Sequence, residues 1–110
     1  MTTNKPTILV YVYEPDRAII NEIQAGIEEE GVLFEIIPKT EINAFDLAFE
    51  AANESVLGSG IGISGKEVVL QMRNLNRDKP VFRYHEPDDQ TCRKLGANSA
   101  RAVKKMPFKI

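Results

Sequence analysis

The chain has 110 residues, enough for one ordinary domain and no second core. With 43% hydrophobic and 27% charged residues it reads as a folded, well-hydrated domain, which excludes a disordered one. A net charge of −2 gives no general pull towards nucleic acid or anionic lipid, and a single cysteine excludes an internal disulfide or a cysteine-built metal site.

Residues 1–6 read as a flexible polar tail with no signal peptide, ahead of one domain spanning the chain. No stretch approaches the ~20 apolar residues of a membrane span, so a cytoplasmic protein is expected. The run Thr7 to Tyr13 is apolar on both faces, as a strand covered by helices on two sides would be. Asp16 stands at a helix N-cap, Ile19, Ile20, Ile23 and Ile27 follow at helical spacing, and Gly31 ends the helix. A second strand covers Val32 to Ile37 and stops at Pro38. Asn43 with Asp46 resembles a capping box, and Phe45, Ala48, Phe49 and Ala52 give the next helix its apolar face.

Gly58-Ser59-Gly60 releases that helix into a short strand, Ile61 to Ser64. Ser64-Gly65-Lys66 is too short for a crossover, so strand Glu67 to Arg73 turns back antiparallel. Asn74 to Lys79 is again too short, and Pro80 to Tyr84 returns as strand five. A last helix covers Asp88 to Lys105. The order β-α-β-α-β-β-β-α predicts an α/β fold, with helices on both faces of a mixed five-stranded sheet whose fourth strand runs against the others.

The search for catalytic chemistry finds none. Gly60 to Gly65 spells G-x-G-x-x-G, but it sits within a strand and opens another, where no pyrophosphate could meet helix N–H groups. No phosphate-binding lysine follows it. The lone His85 lies at a strand end and reads as a loop histidine before it reads as an acid or base. Cys92, with Leu95, Ser99 and Val103, falls on the buried stripe of the last helix. The late basic residues Arg93, Lys94, Arg101, Lys104, Lys105 and Lys109 read as a solvated face.

Two features stand out. The run Gly96-Ala97-Asn98-Ser99-Ala100 is small for a helix interior and suggests close approach by another backbone. Glu28, Glu29 and Glu30 fill the last turn of the first helix, where the dipole is negative and cations are preferred. They form either a solubilising acidic knob or a carboxylate held for a cation, a metal ion or a partner's arginine.

The acidic turn Gly26-Ile27-Glu28-Glu29-Glu30-Gly31 with Phe34, the stretch Asp46-x-Ala48-Phe49-x-Ala51-Ala52, and Asn98-Ser99-Ala100-Arg101-x-Val103-Lys104 with Pro107-Phe108 resemble one family. It is the small subunit of the reactivating factor for adenosylcobalamin-dependent diol and glycerol dehydratases. The resemblance implies a three-layer α/β/α sandwich shared with the dehydratase medium subunit, an anticodon-binding-domain-like arrangement. It implies a non-catalytic partner of a large chaperone-like ATPase subunit, commonly as a two-plus-two heterotetramer. That complex releases damaged cobalamin from the inactivated dehydratase by subunit exchange. By position Glu29 is the family's interface ligand to a divalent metal, magnesium or calcium, with Glu28 and Glu30 as further interface candidates. The resemblance implies neither nucleotide nor cobalamin on this chain alone, and leaves entry into a bacterial microcompartment open. The alternative within the same fold is a medium-type subunit of the dehydratase itself, helping to hold cobalamin.

Overall fold

Strand β1 (Ile8–Tyr13) lies inside a five-stranded sheet, in a computed structural model that describes residues 5–110. Residues 1–4 of the expected tail lie outside the described residues, and Lys5 and Pro6 are exposed. The other elements are α1 (Arg17–Glu29), β2 (Phe34–Pro38), α2 (Ala44–Glu54), β3 (Ser59–Ser64), β4 (Glu67–Met72), β5 (Phe82–His85) and α3 (Asp89–Lys104). The sheet order is β2-β1-β3-β4-β5. Strand β1 pairs parallel with β2 and β3, and β4 runs antiparallel to both its neighbours.

Alternation along the strands builds the three layers. Ile8, Val10 and Val12 of β1 join Ile61, Ile63, Val68 and Leu70 under α1 and α3. Leu9 and Tyr11 point the other way, onto Leu47 and Ala51 of α2. Both faces of the central strands are thereby buried, as their unbroken apolar runs require.

The predicted caps form. Asp16 accepts from the Ile19 N–H at 3.1 Å, Asn43 from Phe45 and Asp46, and Asp88 from Thr91 at 2.7 Å. Gly31 takes a positive φ of 72°, which glycine adopts without steric cost. The capping box is only half made. The Asn43 N–H turns to Glu41 instead, while the Asp46 carboxylate bonds Arg77, and that guanidinium holds its carboxyl below the usual range.

Several boundaries shift, with β1 beginning at Ile8 and β3 already at Ser59. Strand β2 begins at Phe34, since its neighbour β1 begins at Ile8, Phe34's pairing partner. Strand β5 begins at Phe82, after Pro80, which has no N–H to donate. Strand β4 ends at Met72, and the Arg73 N–H turns to the Gly58 carbonyl at 2.8 Å. The predicted apolar face of α2 is also rotated. Ala44, Leu47, Ala48, Ala51 and Ala52 are its buried residues, Phe45 is half-buried and Phe49 is exposed. The cause is β3: a Cβ at Gly60 would lie 2.2 Å from the Ala52 nitrogen, and one at Gly62 2.4 Å from the Ala44 carbonyl. Such closeness admits small side chains and no phenylalanine.

Candidate functional site

The acidic turn is three different groups. Glu28 is exposed, with no side-chain partner among the described residues. Glu29 is 47% exposed, and its Oε2 accepts from Arg93 Nη1 at 3.0 Å. Glu30 is only 9% exposed, with Arg101 Nε and Lys104 Nζ each at 3.1 Å and Lys109 Nζ at 3.9 Å.

The cations come from α3, and the packing of α1 on α3 explains why. Glu22 meets Arg93 while Glu30 meets Arg101, so the two helices run parallel and their negative ends lie together. Lys104 donates to the Glu30 carbonyl at 2.8 Å as well as to its carboxylate. Cations in the last turn of α3 therefore serve both helix ends. The unfavourable placement expected for all three acids is thus relieved within the chain at Glu30 and Glu29, and persists only at Glu28.

The same cluster ties down the C-terminal tail. Arg101 Nη1 donates to the Pro107 carbonyl at 3.1 Å. Asn98 grips the Lys109 backbone on both sides, accepting its N–H at 2.7 Å and donating to its carbonyl at 3.2 Å. Phe108 packs on Phe82, with ring centroids 5.4 Å apart. The acidic turn and the Asn98-to-Phe108 stretch, far apart in sequence, form one structure.

Lys104's hydrogen bond, with Arg101's contribution, holds the Glu30 carboxyl below its ordinary 4.5. A carboxylate with a lowered folded pKa contributes stability that is complete above the ordinary value and lost as pH falls through the folded one. Urea unfolding of wild type and Glu30→Gln should show a gap near neutral pH that closes as pH falls below the ordinary carboxylate range.

Closest approach of α1 and α3 occurs at two glycines. A Cβ on Gly26 would sit 2.1 Å from the Arg93 carbonyl oxygen, and one on Gly96 2.1 Å from that of Ile23. The small run in α3 thus meets the domain's own first helix. Arg93 emerges from this crossing, donating from Nε to Glu22 at 2.9 Å as well as to Glu29. Sequence reasoning missed Arg93, Glu22 and the anchoring of Glu30. The one local signal is that Glu22 and Glu29, two turns apart, share a face of α1.

Elsewhere the chemistry is quiet. His85 Nδ1 pairs with the Glu67 carboxylate and the ring is 71% exposed. Cys92 is buried, and burial, with Asp89 and Asp88 adding, pushes its thiol up to about 11. Among the described residues no three metal-ligating side chains gather as a cluster. Glu29, with one oxygen on Arg93 and no partner for the other among the described residues, can supply one ligand and no complete site. No helix among the described residues is long and apolar enough to cross a membrane.

Comparison with known proteins agrees with this geometry. Residues 5–109 match the model of the dehydratase medium subunit family. The propanediol dehydratase-reactivating factor small subunit of Salmonella typhimurium is 34% identical over 94% of this chain and 90% of its own. The diol dehydratase-reactivating factor small subunit of Klebsiella michiganensis is also 34% identical, over 94% and 84%. A solved diol dehydratase-reactivating factor, complexed with ADP and Mg2+, superposes with a TM-score of 0.91 at 32% identity, covering 97% of this chain and all of that one. A glycerol dehydratase reactivase does so with 0.91 at 32%, covering 96% and 98%. These relatives are reactivating-factor chains, which decides between the two subunit types that share the fold. The chain belongs to the dehydratase medium subunit family, among the small subunits of dehydratase-reactivating factors.

Proposed function

We propose that this chain works by docking onto the large subunit of a diol or glycerol dehydratase-reactivating factor, and that Glu29 is the carboxylate it lends to a divalent metal at that contact. The observation carrying the metal role is the state of Glu29. It is half-exposed at the end of a well-packed helix, one oxygen held by Arg93 and the other without a partner among the described residues. A divalent cation there would bridge carboxylates of two chains, and the open oxygen of Glu29 is this chain's share. The solved relative complexed with ADP and Mg2+ supports a divalent ion in such assemblies.

The ATPase belongs to the large subunit in this reading, with two copies of each chain in the complex. In the glycine pattern, Gly60 and Gly62 are accounted for by β3 packing on α2 and Gly65 by the positive φ of the turn that follows. A fold shared with dehydratase medium subunits supports release of damaged cobalamin by subunit exchange, since like surfaces can take turns on one partner. The setting is the cytoplasm, or a bacterial microcompartment enclosing the dehydratase.

Calorimetric titration of the large subunit, with magnesium and with EDTA, tests the reading. Glu29→Gln is expected to weaken the magnesium-supported affinity by about tenfold or more, the low end for losing a charged interface partner. Equal affinities for wild type and variant in both buffers would remove Glu29 from the metal.

A further inference from the structure

We infer that Arg93 is a positioning residue for Glu29, setting its carboxylate to meet a divalent cation whose remaining ligands another chain supplies. The inference rests on the reading of Glu29 given above.

The first support is the shape of the contact. Arg93 donates from Nε to Glu22 at 2.9 Å and from Nη1 to Glu29 at 3.0 Å. A guanidinium is a planar fork with fixed donor directions, so anchoring one prong on Glu22 aims the other. The second support is the rigidity of the mount. Arg93's own carbonyl lies where Gly26 lets the two helices touch, and Gly26 stands between Glu22 and Glu29 on α1. The guanidinium therefore springs from the tightest point of the α1–α3 crossing. The third is the division of the carboxylate. Arg93 takes Oε2 and leaves Oε1 for one bond to a cation. The rotamers of Glu29 are thus restricted before any partner arrives, and its ordering cost falls in the free subunit.

Charge sets the limit of the arrangement. Glu22, Arg93 and Glu29 together carry one net negative charge, a weak lure for a divalent ion by itself. The metal would be retained only when a second chain completes its shell. Arg93 thereby favours an ion that joins chains over one that decorates the free subunit.

The test uses the whole chain and the large subunit, titrated with magnesium and with EDTA. The quantity read is the ratio of the two affinities. Arg93→Gln is expected to lower that ratio roughly three- to tenfold, the scale of one freed side chain, with the EDTA affinity nearly unchanged. Arg93→Lys should lose nearly as much, because it keeps the charge and loses the fork. Glu22→Gln, which leaves Arg93 in place but unanchored, should fall in between and covers the case in which Arg93→Gln folds poorly. An unchanged or raised ratio in Arg93→Gln and Glu22→Gln, where Glu29→Gln abolishes it, overturns the positioning role alone. An unchanged ratio in Glu29→Gln itself overturns the reading of Glu29 and this inference with it. A fall in the EDTA affinity alone would make Arg93 a helix clamp only, and would also overturn it.

Discussion

Gly96→Ala is expected to destabilise the protein by about 2 kcal/mol or more, the net of two opposed terms. Alanine in a helix interior gains about 1 kcal/mol over glycine. Against this, the new methyl would lie 2.1 Å from the Ile23 carbonyl oxygen and 2.9 Å from its carbon. Backbone atoms cannot rotate aside as a flexible side chain can, so the helices must move apart. Overpacking of this kind costs typically 1–3 kcal/mol and occasionally more, so at backbone contact we expect about 3 kcal/mol or above. The clash outweighs the helix gain. A melting experiment should show the midpoint lowered by roughly 8 °C or more, at about 4 °C per kcal/mol for a domain of this size. Gly26→Ala should behave alike, since its Cβ would meet the Arg93 carbonyl oxygen from the other helix. The double variant should cost less than the sum, because helices already separated for one methyl have room for the second. A midpoint at or above wild type for Gly96→Ala would mean that the crossing is not tight.

That crossing also separates what the sequence discloses from what it withholds. Asp16, Asn43 and Asp88 announce their helices because a cap is a contact between near neighbours. The reversal at β4 is legible because Ser64-Gly65-Lys66 is too short to cross over. The small run in α3 foretells close approach, yet nothing local names Gly26 as its counterpart. Helical spacing puts Phe49 inside α2's apolar face, and only the closeness of Gly60 and Gly62 shows why alanines take that place. The acidic turn shows the difficulty best. Helix position makes its acids look alike, but Glu30 is caged by residues 71 to 79 positions away and Glu29 meets Arg93 64 away. Hydrophobic period and capping reach across a few residues, whereas these ion pairs follow from how two parallel helices are laid on one sheet. The metal role proposed for Glu29 follows from family resemblance, whereas its ion pair with Arg93 follows only from the fold.

Alanine at Gly60 or Gly62 is expected to destabilise by about 3 kcal/mol or more, while alanine at Gly65 should cost only about 1–2 kcal/mol. The three glycines form one G-x-G-x-x-G string, and the contrast tests what that string is for. On β3 the first two face α2, where a Cβ would stand 2.2 Å from the Ala52 nitrogen or 2.4 Å from the Ala44 carbonyl. Both contacts are again backbone, and a strand offers no propensity gain comparable to the helix case to offset them. Gly65 has open space around it, and its demand is a positive φ of 58° in the tight β3–β4 turn. Alanine can adopt that conformation at a cost of roughly 1–2 kcal/mol. A nucleotide loop would behave otherwise: its glycines admit a ligand's phosphates, so substitution would cost affinity for nucleotide more than stability. Urea unfolding of the three variants at matched slope separates the cases. Equal, small losses at all three positions would mean that Gly60 and Gly62 are not packing residues, and would reopen the string as a loop free to meet a ligand. The expected ranking, Gly60 and Gly62 well above Gly65, ties two glycines to the seating of α2 and one to a turn.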